Sequence, residues 1–228
     1  MSESLENTII LAGVFLLLFG SAEVFYHMFK VKVELTRKYV HIGTGIITLF
    51  FPVLIGNHWL ILALCGSFAV ILLTSLRFNL LQSINAIDRD SMGSILYPAV
   101  VYTVYLIYLL YGNGLYIYFY LPILTLAICD PLAAGVGRRW PKGKYTIGTE
   151  TKTVMGSSAF FISSLILTVI LLHYMADLNL GNTILVAVVI GLIATVTEGA
   201  SRRGFDNLFI PLVVLGCLVG FTELQGLF

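Results

Sequence analysis

The sequence predicts an all-α integral membrane protein of about eight transmembrane helices. Three observations predict it. Hydrophobic residues make up 58% of the 228 positions and charged residues 11%, with a mean hydropathy of +0.96; a soluble domain carries about 25% charged residues. Apolar runs long enough to cross a bilayer, about 20 residues each, recur along the whole chain. The charges then sort by side, as described below. The chain reads as a single domain over residues 1–228, without low-complexity segments or a clear internal repeat.

Taken in order, the expected spans are residues 8–29, 39–55, 58–76, 94–111, 115–137, 154–174, 182–200 and 207–228. The first is kept as a true span because MSESLEN lacks the basic start of a signal peptide and the run exceeds a signal core. The second and third are joined by Gly56-Asn57, the fourth and fifth by Gly112-Asn113-Gly114, so each pair is antiparallel and adjacent. With eight spans, all 13 Lys and Arg fall on one side, while Glu3, Glu6, Asp177 and Glu223 lie on the other. The positive-inside rule places the basic side in the cytoplasm and both termini outside. Eight of the 12 tyrosines lie between Tyr97 and Tyr120 and read as an aromatic belt at the outer interface. Gly216 and Gly220 form a GxxxG that reads as close helix packing. Cys65, Cys129 and Cys217 lack metal or disulfide spacing and read as buried thiols.

The longest polar passage, DPLAAGVGRRWPKGKYTIGTETKTVMGS at 130–157, holds five of the 13 basic residues: Arg138, Arg139, Lys142, Lys144 and Lys152. Asp130 opens it, Ala133 and Gly137 follow at helical spacing, and Pro131 removes a backbone donor beside the acid. A carboxylate next to a Gly-rich, cationic loop suits a magnesium-bound polyphosphate: the ion takes carboxylate oxygens, and cations with free N–H groups take phosphates. Arg37, Lys38 and His41 share one face of the second span; the alternative is a snorkelling anchor. Asp88, Arg89, Asp90 and Ser94 precede the fourth span, where an amphipathic loop with a Ser91 or Ser94 N-cap is the competing reading.

Glu198 ends the seventh span four residues before Arg202, and Asp206-Asn207 open the eighth. An intrahelical pair with Arg202 and a helix cap are the plain readings of the two acids. Carboxylates at membrane depth are nevertheless costly and mark function. Asp130, Glu198 and Asp206 come from three spans at one predicted depth, and that convergence carries the argument. Glu23 is a fourth acid, four residues from His27 and expected to pair with it.

The ordered set RKYVH (37–41), D-x-x-A-x-x-x-G (130–137), KTVMGSSA (152–159) and E…DNLFIP (Glu198, 206–211) resembles the membrane polyprenol kinase family. That family includes phytol, farnesol and dolichol kinases and the CTP-dependent diacylglycerol kinase of fungi. The chain has Cys129 where many members carry Gly before the acid. The resemblance implies transfer of the γ-phosphoryl group of a nucleotide, CTP or ATP, to the hydroxyl of an isoprenoid alcohol or diacylglycerol. It implies Asp130, Asp206 and Glu198 as the catalytic and Mg²⁺-binding acids. Lys152, Thr153, Gly156 and Ser157 would hold phosphates, helped by Arg138, Arg139, Lys144, Arg37, Lys38, His41 and Asn207. The expected partners are an alcohol from the bilayer and a nucleotide from the cytoplasm, with no nucleic acid. The central passage is also similar to phosphatidate cytidylyltransferase, which makes a CDP-lipid, but the S-x-x-KR, HGG and DR-x-D expected of that enzyme are missing. A transporter would place its polar groups near the midplane, whereas here they crowd one edge.

Overall fold

The computed structural model describes residues 2–86, 92–148 and 150–225. Asp88, Arg89, Asp90 and Ser91 lie outside the described residues. Among the described residues eight helices are long and apolar enough to cross a membrane, and each overlaps one of the eight expected spans, with the ends at most six residues apart.

The first span is α1 (Glu3–His27) and the second is α2 (Val33–Thr48), prolonged by a π turn, Phe51–Ile55, that carries Pro52 and stops at Gly56 with φ +63. The third is α3 (His58–Arg77), begun by the Asn57 side chain, which accepts from the Trp59 N–H at 2.9 Å. A short helix, α4 (Gln82–Asn85), tucks under α1 and α2: Glu23 accepts the Ser83 N–H at 2.9 Å and Thr36 donates to the Ser83 carbonyl at 2.6 Å. Glu23 also holds His27 at 3.0 Å, the expected pair. The fourth span is α5 (Gly93–Tyr111); Ser94 sits inside its first turn and does not cap it.

The fifth span, Ile117–Arg139, is the hub, with 56% of its most apolar window buried against 22–44% in the others. It comprises α6 (Ile117–Leu124), a π turn over Thr125–Cys129, and α7 (Asp130–Arg139). An antiparallel hairpin follows, β1 (Lys144–Ile147) with β2 (Glu150–Thr153), in the register Tyr145↔Lys152 and Ile147↔Glu150. The last three spans are α8 (Val154–Met175), α9 (Leu180–Ala200) and α10 (Asp206–Gln225). Up-and-down alternation brings the described connecting residues at 28–32, 78–86, 140–148, 150–153 and 201–205 to one end of the bundle, and this basic end carries the site.

Two expectations need correction. Among the described residues a Cβ at Gly216 or Gly220 would meet nothing within 4 Å, so that GxxxG is not a close helix contact there. Backbones come close elsewhere: a Cβ on Gly45 would fall 2.3 Å from Ala127 Cβ, and Gly137 and Gly156 face each other across α7 and α8. The tyrosine cluster is also not simply a belt. Tyr97, Tyr105, Tyr108 and Tyr118 are buried core residues, and only part of the cluster, such as Tyr111, is exposed. Bulky aromatic rings meet there to fill the interior around α5 and α6 (Tyr105 and Phe119 edge to face at 5.7 Å), which a count of tyrosines cannot separate from an interfacial ring.

Candidate active site at the basic end

Asp130 owes its position to a break in the hub helix. In a π turn the carbonyl of residue i pairs with the N–H of residue i+5. The carbonyl of Leu126 would therefore look to residue 131, and Pro131 has no N–H to give. His41 fills the gap: its Nε2 donates to the Leu126 carbonyl at 3.1 Å. One residue past the acid, Lys38 Nζ donates to the Pro131 carbonyl at 2.9 Å. Two members of the RKYVH face thus fasten α2 to the helix that presents Asp130. Freed backbone groups at membrane depth need such partners.

Glu198 is buried, at 7% exposure. It does not pair with Arg202. Lys152 Nζ lies 2.8 Å from its Oε1 and also donates to its main-chain carbonyl, while Ser157 Oγ approaches Oε2 at 3.4 Å. Tyr145 continues the chain with a 2.7 Å bond to Ser157 Oγ. The pleat explains which lysine takes part. Lys152 and Tyr145 are directly opposite and share one face of the hairpin, whereas Lys144, next to Tyr145, points out to solvent. Arg202 instead lies against Gly148, where an added Cβ would come within 2.9 Å of its guanidinium.

Asp206 and Asn207 are placed by the α9–α10 connection. Glu150 at the hairpin end accepts the Arg203 N–H at 2.7 Å, and the Arg203 carbonyl accepts from the Met92 N–H at 2.9 Å. Asp206 Oδ1 accepts from the Asn207 N–H at 3.0 Å, the local bond of a helix start. The Asn207 amide packs on Gly93, where a Cβ would be 2.5 Å away.

These residues surround one cavity of about 450 Å³. Its polar mouth contains Asp130, Glu198, Asp206, Asn207, Lys152, Thr153, Gly156, Ser157, Arg37, Lys38, His41 and Arg138. Asp130 is close enough to feel the charges of Asp206, Glu198, Lys152 and Lys38. Below the mouth the cavity turns apolar and runs down between α1, α2, α3 and α5, past Phe19, Val40, Leu72 and Phe68. A volume of this size, mostly apolar with a few converging polar groups, is that of a small-molecule site.

Not every expected residue reaches it. Arg139 and Lys144 are exposed and outside the lining. Arg138 reaches the rim, paired with Glu34, a residue the sequence reading passed over although it shares the face of Lys38 at i+4. Tyr145 was missed as well. The first N–H groups of α8 are also engaged: Val154 N donates to the Gly143 carbonyl at 2.9 Å and Gly156 N to Thr153 Oγ1 at 3.0 Å. Thr153 and Gly156 therefore build the helix start and its contact with α7, and an anion at this helix end would have to displace bonds already made.

Among the described residues no group of three or more His, Cys, Asp and Glu is tight enough to hold a metal ion. Glu198 is committed to Lys152 and Ser157 and Glu34 to Arg138, which among the described residues leaves Asp130 and Asp206 as the cavity-lining carboxylates not held by a cation. Two acids fit Mg²⁺, which is commonly held by one or two carboxylates together with substrate phosphates.

No family model matches the chain, and no solved structure gives a significant match. The phytol kinase of Synechocystis sp. is 34% identical over 196 residues, covering 84% of this chain and 81% of the relative. The four motifs all fall on the elements that enclose the cavity, in an eight-helix membrane bundle. The chain belongs to the membrane polyprenol and phytol kinase family.

Proposed function

We propose that this protein transfers the γ-phosphoryl group of a nucleotide, CTP in preference to ATP, to the hydroxyl of an isoprenoid alcohol drawn from the bilayer. The observation that carries the reading is the shape of one cavity. Acids and cations from spans two, five, seven and eight and from the hairpin line its mouth, and an apolar channel leads from them into the bundle. Phosphoryl transfer asks for alignment and charge neutralisation more than covalent help. Asp130 and Asp206 would hold Mg²⁺, which would supply charge neutralisation at the phosphates, and one of the two would accept the hydroxyl proton. Lys152 would face the phosphates, held straight by Glu198, with Arg37, Lys38 and Arg138 adding positive charge. Asn207, locked on Gly93, would set the Asp206 carboxylate. The basic end would face the cytoplasm, where the nucleotide is.

The test is purified protein in lipid nanodiscs with CTP or ATP labelled at the γ-phosphate and a panel of alcohols, including diacylglycerol. Label in an isoprenoid alcohol, with CTP the better donor, is expected. A CDP-lipid with release of pyrophosphate would overturn the reading in favour of cytidyl transfer.

A further inference from the structure

The apolar arm of the cavity has a closed end. Along α2 its lining recurs every three or four residues, from Lys38 through His41, Thr44 and Thr48 to Phe51 in the π turn. Phe51 meets Phe15 edge-on with ring centroids 6.0 Å apart, and Phe15 packs on Phe68 at 5.0 Å. All three line the cavity and are nearly buried, at 1%, 4% and 7% exposure. On α3 the lining continues one turn past Phe68, to Leu64 and Cys65; beyond Phe15, Phe51, Leu64 and Val101 toward the opposite face, Leu11, Ile55, Ile61 and Val104 are buried and do not line it. The channel stops at a floor made by Phe15 and Phe51 with Leu64 and Cys65, and Phe68 packs on Phe15 at its wall.

We propose that Phe51, backed by Phe15, which packs on Phe68, acts as a ruler that sets the longest alcohol chain the enzyme accepts. The proposal rests on reading the mouth as the site where the hydroxyl is phosphorylated. Lys38, bonded beside Asp130, marks the hydroxyl end, and Phe51 lies 13 residues further along the same helix. At about 1.5 Å per residue the arm is about 20 Å deep. An extended chain advances about 1.2 Å per backbone bond, so the arm takes up about sixteen bonds, the main chain of four isoprene units. The arm is a blind slot, so a longer chain meets the Phe51 ring before its hydroxyl reaches Asp130. A shorter chain seats its hydroxyl but leaves apolar wall uncovered.

The test compares phosphorylation of alcohols of three, four, five and six isoprene units by wild type, Phe51→Leu, Phe51→Ala and Phe51→Trp in nanodiscs with γ-labelled nucleotide. Wild type should lose about tenfold or more in kcat/KM between four and five units, the scale at which an apolar pocket discriminates by size. Phe51→Leu and Phe51→Ala should move that fall to longer chains, and Phe51→Trp to shorter ones. Phe51→Leu carries the test should the alanine variant fail to fold. Leu62→Ala, on the exposed side of α3, should keep the wild-type profile. One length profile shared by wild type and the Phe51 variants, or equal use of four and six units by wild type, would overturn the ruler alone. Absence of label in every alcohol would overturn the parent reading and the ruler with it.

Discussion

Lys152 and Glu198 are 46 residues apart in sequence, yet Lys152 Nζ rests 2.8 Å from Glu198 Oε1, with both side chains nearly out of solvent at 13% and 10% exposure. Removing one partner of such a pair leaves an uncompensated charge and costs about 3–5 kcal/mol. Lys152→Met should therefore lower the melting temperature in detergent and abolish phosphoryl transfer. Lys152→Met combined with Glu198→Gln should recover part of the lost stability and none of the activity. A double variant as unstable as Lys152→Met alone would mean that the buried acid is not what destabilises it.

The two faces of the hairpin give a second contrast. Lys144→Ala, one residue from Tyr145 but pointing to solvent, should change turnover by less than about twofold, since an exposed cation contributes little. Steady-state kinetics beside Lys152→Ala checks this. A large loss in Lys144→Ala would mean that the lysine reaches the nucleotide from outside the cavity.

The His41–Leu126 bond predicts a rescue. His41→Leu orphans the Leu126 carbonyl and should cost about 1–3 kcal/mol. Pro131→Ala restores an N–H at the position where the π turn needs one, so the same His41→Leu change should cost less in that background. Chemical denaturation of the two single variants and the double in detergent closes the cycle. Equal costs in both backgrounds would show that His41 is not standing in for the missing proline donor.

The helix contact beside the acids sets a fourth expectation. A Cβ at Gly156 would sit 3.0 Å from the Ala133 carbonyl, and one at Gly137 2.7 Å from Thr153 Oγ1. Gly137→Val should push α7 from α8 at a cost of about 1–3 kcal/mol and reduce turnover, because the same contact fixes the distance between Asp130 and Lys152. Wild-type melting and turnover in Gly137→Val would place the helices further apart than this structure does.

The eight helices were legible because hydropathy and charge sidedness report on the same boundaries. The meeting of Asp130, Glu198 and Asp206 was legible for a related reason: membrane depth is a single coordinate, and helix ends reveal it. Partnerships were not legible. Glu198 and Arg202 at i, i+4 looked like a pair, and only the hairpin, whose strands are four residues long and polar, brings Lys152 to the acid instead. Its signal was the alternation of Tyr145 and Ile147 with Lys144 and Thr146, ahead of Gly148 at φ +61. Composition likewise could not tell Arg138, at the rim, from Arg139, its neighbour in solvent. The closed end of the apolar arm needed Phe15, Phe51 and Leu64 to meet from three spans, which no local pattern encodes.

The central claim is that Asp130 and Asp206, 76 residues apart, serve one phosphoryl group. Residues that act as a unit lose activity non-additively. The direct measurement is phosphoryl transfer from γ-labelled CTP by Asp130→Asn, Asp206→Asn and the double variant, each in nanodiscs at matched amounts of folded protein. Each single change should reduce turnover by on the order of 10³-fold, and the double should be within about tenfold of the worse single. Losses that multiply, or a single variant within about tenfold of wild type, would contradict a shared site.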